Sequence, residues 1–150
     1  MTPGAEEIRK LVPHQGAMCL LDAVEFWDAS RIVCTTGQHR LPGNPLAQEG
    51  RLSAVNAIEF AAQAMAVHGA LAAPPRSRAA SGMLLSVRAC RFHCDRLDQV
   101  AELLHVRANK VAGSQLMFMY EFGLFAGARC LAEGRASVLL HAPASDGARR

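Results

Sequence analysis

The residue best placed to do chemistry is Glu59, on a stretch that reads as a long helix, with a loop rich in His, Pro and Asn (from His39) leading into it. The helix is expected over positions 52–73, and Asn56, Glu59 and Gln63 are spaced by three and four residues, which puts them on one face. The other faces are built of Ala, Val, Ile, Leu, Phe and Met, so other structure should sheathe this helix. A carboxylate there is costly to bury without a partner or a purpose. An apolar surround raises the pKa of a carboxyl and lets it donate a proton near neutrality. A neutral imidazole is a suitable proton acceptor at the same pH. Glu59 is therefore the first residue to suspect of chemistry, while His39 on its residues alone could equally be a loop surface His.

Composition narrows the classes. The 150 residues suit one domain, half of them are apolar and only 19% are charged, so a packed core is expected rather than disorder. A net charge of +3, with Lys and Arg scattered singly and 5% aromatic residues, gives no basic stripe for nucleic acid. No run reaches the roughly 18 to 20 apolar residues of a membrane span. The N-terminal TPGAEEIRK lacks the apolar centre of a signal peptide, so a cytoplasmic location is expected. Five cysteines make an odd number, and Cys19, Cys34 and Cys130 sit in apolar runs, a usage that suits reduced thiols.

Cys90 and Cys94 flank His93, yet in a strand His93 points away from both. His93, His105 and His141 all fall in expected strands with no companion ligands, so no metal site is expected. His68 lies nine residues after Glu59, on the opposite helical face, where it should pack or meet an interface.

The elements that would position these residues follow in order. A short N-terminal helix (1–12) closes at Pro13, and strands are expected over Met18–Trp27 and Arg31–Thr36. The central helix ends at Pro74-Pro75. Four β-like runs follow, Met83–His93, Val100–Ala112, Gln115–Phe125 and Ala128–His141, with tight turns at Gly113-Ser114 and Ala126-Gly127. Residues 142–150 read as a frayed tail. Hairpins around one buried helix give an α+β class. A curved antiparallel sheet wrapped around a central helix, the hotdog fold, explains why that helix is apolar on nearly every side.

Three segments carry a family resemblance. LVPHQGAMCLLDAVEFWD (Leu11–Asp28) resembles the opening of the β-hydroxyacyl-ACP dehydratases, a Leu-Pro-His turn before a Leu-rich strand with an Asp. The His, Pro, Pro pattern over His39–Pro45 resembles their His loop with one residue more, and IEFAAQAMA (Ile58–Ala66) resembles their helix, with a Gln four residues after the Glu. The phrases His-Arg-x-Pro-x-Asn-Pro-Leu and Ala-Ala-Gln-Ala-Met-Ala-x-His-Gly are similar to the dehydratase-like proteins of bacterial aryl-polyene pathways.

The resemblance implies dehydration of a 3-hydroxyacyl thioester to the trans-2-enoyl thioester. His39 would be the base that takes the α-proton and Glu59 the acid that protonates the departing hydroxyl. Gln63 and Asn44 are candidate substrate-binding residues, and His14 is a further candidate base at a position the family uses structurally. A main-chain N–H near the helix start would hold the thioester oxygen, and Gly50 is the candidate because it allows close approach. The stretch from His39 to Glu59 is several residues longer than in typical members, with Glu49-Gly50-Arg51 where they have Pro-Gly. Implied partners are an acyl carrier protein or coenzyme A thioester, and a second hotdog subunit in a homodimer or heterodimer. No cofactor is implied.

Other readings remain open. Hotdog enoyl hydratases use an Asp-x-Asn-Pro-Leu-His loop, but here Pro42 and Ala47 stand at its Asp and His positions. Hotdog thioesterases need only a helix carboxylate, so Glu59 would serve them. A non-catalytic subunit supporting an active paralogue is the third.

Overall fold

Alternation of apolar and polar residues builds the strands of this protein. The computed structural model describes residues 2–11, 19–72, 81–114 and 116–141. Helix α1 (Ala5–Leu11) precedes strands β1 (Ala23–Trp27) and β2 (Arg31–Thr36), then helix α2 (Ala57–Ala72), then β3 (Ser81–Phe92), β4 (Leu104–Gly113), β5 (Met117–Ala126) and β6 (Arg129–His141). The six strands form one sheet in the order β1-β2-β4-β5-β6-β3, every neighbouring pair antiparallel.

Every second residue of the middle strands faces the helix. Ile32 and Cys34 on β2, Leu104, Val106 and Ala108 on β4, and Tyr120, Phe122 and Leu124 on β5 are all buried. Helix α2 meets this face with Ala57, Phe60, Ala61, Ala64, Met65 and Val67. The alanines let the sheet approach closely, and Phe60 fills the space they leave; full burial of such a side chain contributes roughly 1.5–3 kcal/mol. The helix touches β2, β3, β4, β5 and α1, so it is enclosed as expected of a hotdog layout.

The strand expected from Val100 begins at Leu104, leaving Val100 in the preceding loop, and two further element starts move for identifiable reasons. The central helix was expected from 52 but α2 begins at Ala57, after a 3-10 turn over Ala54–Asn56. Ser53 caps that turn by accepting the Val55 N–H, and Leu52 is held extended against Leu97 and Asp98. The first strand was expected from Met18 but β1 begins at Ala23. The Leu20 N–H goes to the Gln63 side chain (2.8 Å) and the Leu20 carbonyl to the Thr36 hydroxyl (2.6 Å), so side chains take the place of a ladder.

Strand β3 lies at a sheet edge and carries two register shifts, one beside Ala89, whose φ is +55°. Residues 12–18, 73–80 and 142–150 lie outside the described residues, so His14 and the expected tail are not placed. Among the described residues no helix is long and apolar enough to cross a membrane.

Candidate active site

His39 sits on a one-turn 3-10 helix, Gln38–Arg40, and is 1% exposed. Three polar side chains hold that turn. Asp22 accepts the Gly37 N–H at 2.8 Å and the Gln38 side-chain amide at 2.9 Å. The Thr36 hydroxyl accepts the Gln38 N–H at 3.0 Å. Asn44 donates to the Gln38 carbonyl at 2.8 Å and accepts the Leu46 N–H at 2.9 Å.

The ring itself makes one hydrogen bond, between Nε2 and the Val100 carbonyl at 3.0 Å. A carbonyl only accepts, so Nε2 carries the proton and Nδ1 the lone pair. Among the described residues, Nδ1 of His39 is the only buried side-chain nitrogen or oxygen with no hydrogen-bond partner. Burial lowers the pKa of the ring, with Arg40 adding to it, against smaller upward pulls from the Val100 and Glu102 carbonyls and Asp22. The result is a neutral imidazole with an unused basic nitrogen in a dry place, the form a general base requires.

Glu59 lies in the first turn of α2 and is half-buried. It makes no hydrogen bond or ion pair to the described residues, so its carboxyl is uncommitted. No hydrogen bond or ion pair joins it to His39 within the chain. A cleft of about 920 Å³ opens beside the start of α2, lined by Glu49, Arg51, Ser53, Asn56 and Arg96 among others. Asn56 precedes Glu59 by three residues; neither Glu59 nor His39 lines the cleft itself.

The other candidates fall elsewhere. Gln63 is buried, and its carbonyl oxygen accepts the Leu20 N–H, which ties α2 to the segment before β1. Asn44 supports the His39 turn. Gly50 occupies a two-residue turn with Glu49, closed by Gln48 and Arg51 exchanging backbone hydrogen bonds of 2.8 and 2.9 Å. Both turn residues have positive φ (+53° and +77°), which is what Gly is used for there. That turn precedes α2 by seven residues, so Gly50 does not lie at the helix start itself. Asp22 and Val100 were not foreseen. Asp22 stood in the quoted Leu-Leu-Asp motif, whereas Val100 acts through its backbone and leaves no side-chain signal.

His68 packs as expected, fully buried. Its Nε2–H donates to the Asp28 carbonyl at 2.8 Å, leaving Nδ1 to accept the Tyr120 hydroxyl at 2.7 Å. One expectation is corrected. His93 follows β3 instead of lying in it, and it does have companions, Cys130 and Glu133.

No curated protein matches the sequence. Among solved structures, the dehydratase heterocomplex ApeI:P from Xenorhabdus doucetiae superposes with a TM-score of 0.75 at 24% identity, covering 93% of this chain and 92% of that one. A mutant thioesterase from Pseudomonas aeruginosa gives 0.67 at 11% identity (95% and 97% covered). A thioesterase from Haemophilus influenzae gives 0.66 at 11% identity (95% and 93% covered). These likenesses establish the hotdog fold, which both kinds of enzyme share. The sequence itself decides between them at the level of family: the ApeP-like model, described as ApeP dehydratase, matches residues 6–146, and the chain belongs to that dehydratase family.

Proposed function

We propose that the protein dehydrates a 3-hydroxyacyl thioester, carried on an acyl carrier protein, to the trans-2-enoyl thioester. His39 Nδ1 takes the α-proton and Glu59 gives a proton to the β-hydroxyl as its C–O bond breaks, so that a C=C bond and one water result. The observation that carries this reading is the buried, neutral, unpartnered Nδ1 of His39. A buried polar atom without a partner costs stability, about 1–3 kcal/mol, and calls for a use. The uncommitted carboxyl of Glu59 supplies the complementary group. Base and acid act on different substrate atoms, so they need no contact with each other.

Among the described residues no strand pairs with the outer side of β3, which supports pairing with a second hotdog subunit, as a homodimer or as a heterodimer like the ApeI:P complex. The test follows one sample by two readouts, enoyl absorbance and free-thiol release. Enoyl formation without thiol release is the expected result. Thiol release without enoyl formation would replace dehydration by hydrolysis driven from Glu59. Activity that arises only on mixing with a hotdog partner, and that survives His39→Ala, would make this chain the supporting subunit.

A further inference from the structure

We propose that His93, Cys130 and Glu133 form a binding site for a borderline divalent cation, Zn²⁺ being the ion their donors suit. The cluster lies at the end of β3 and the start of β6 and takes no part in the chemistry assigned to His39 and Glu59. One imidazole nitrogen, one sulfur and one carboxylate oxygen all lie within 4.8 Å of one another, with His93 Nε2 2.9 Å from Glu133 Oε2.

The fold builds this grouping through a bulge. Leu124 pairs with Ala132 while Phe125 pairs with Cys130, so Leu131 is an extra residue in β6. Without it, Cys130 would alternate to the opposite face from Glu133. With it, Leu131 is buried and Cys130 shares the outer face with Glu133. His93 is pinned against the same bulge, its N–H donating to the Leu131 carbonyl at 2.8 Å. His93, just past the end of β3, thus meets Cys130 and Glu133 on the adjacent strand β6.

The donor set matches a borderline ion. Zn²⁺ accepts thiolate, imidazole and carboxylate at bond lengths of roughly 2.0–2.3 Å, which places ligands roughly 3.3–3.7 Å apart. The donors' separations, up to 4.8 Å, bracket that spacing, and the His93 and Glu133 side chains are exposed. One thiolate and one carboxylate balance the two charges of the ion. With three protein ligands, the fourth position is left to water, and binding would clip the end of the edge strand β3 to β6.

Co²⁺ is the probe, because its bond to a thiolate gives a charge-transfer band, and Zn²⁺ should displace it. The full-length chain is titrated alongside Cys130→Ser, His93→Ala and Cys94→Ser, each verified as folded by circular dichroism. The expected result is a single Co²⁺ per chain with that band present. The band should be lost in Cys130→Ser and kept in Cys94→Ser. His93→Ala should weaken binding by at least the roughly tenfold to hundredfold that changes behind a ligand alone produce. A parent chain with no band at micromolar metal would overturn the proposal. So would a band that survives Cys130→Ser or disappears in Cys94→Ser.

Discussion

The imidazole of His39 donates from Nε2 to the main-chain carbonyl of Val100 across 3.0 Å, and this one contact decides which nitrogen can act as a base. Val100 belongs to the loop before β4, itself pinned by the Leu97 N–H to the Leu52 carbonyl at 2.8 Å. Leu52 in turn donates to Asp98, whose carboxyl Arg96 holds down at about 2. The tautomer of the His39 ring is thus set by the backbone that also delivers the chain to α2.

Because burial lowers the His39 pKa below its ordinary 6.5, the neutral, basic form persists into mildly acid solution. The acid limb of the kcat/KM profile should therefore fall below pH 6.5. A limb at or above 6.5 would show that His39 is not the group titrating.

Stability should follow the same sign through two rings. His39 and His68 are both held neutral, their folded pKa values lowered first by burial. The unfolded chain binds those protons more readily, so the stabilisation is complete above about pH 6.5 and is lost as pH falls from there through the lowered folded values. Thermal midpoints recorded between pH 8 and pH 5 should decline over that lower range. Tyr120→Phe leaves His68 Nδ1 buried without its donor and should cost about 1–3 kcal/mol with dehydration unchanged.

Asp22 touches no substrate in this arrangement but fixes the turn that carries His39 through Gly37 and Gln38. Asp22→Ala should lower kcat on the order of 10-fold to 100-fold while leaving KM near its original value, since a displaced base loses rate before affinity. A KM effect with kcat intact would assign Asp22 to binding.

Sedimentation tests the open edge of β3. The chain alone at micromolar concentration should run as a dimer, or form a 1:1 complex with a second hotdog subunit when that is supplied. A monomer under both conditions would mean that the edge is not an interface.

Much of this architecture was legible in the sequence because period-2 and period-3.6 patterns report burial directly. β2 and β4 alternate as their residues require, and the apolar surround of α2 predicted its enclosure. The misplaced starts of β1 and α2 have a different origin. Leu20 and Leu52 look like strand and helix residues, but their backbone groups are taken by Gln63, Thr36, Leu97 and Asp98, partners that only the folded chain brings near. Of the candidate site, His39 and Glu59 were readable as residue types in an order that resembles a family. Gln63 and Asn44 were readable as polar residues near them, but not as supports. The Val100 carbonyl carries no side-chain signature, and the grouping of His93 with Cys130 depends on a bulge at Leu131 that alternation alone does not show.

The most direct measurement is the rate of trans-2-enoyl thioester formation from a carrier-bound 3-hydroxyacyl substrate by His39→Ala, Glu59→Gln and the double variant, alone and with a hotdog partner present. Each single change should lower the rate by at least about a hundredfold with the fold intact, and the double variant should be little worse, because one turnover needs both groups. Near-full activity in His39→Ala would contradict the assignment of the base, and near-full activity in both single variants would contradict dehydration at this site.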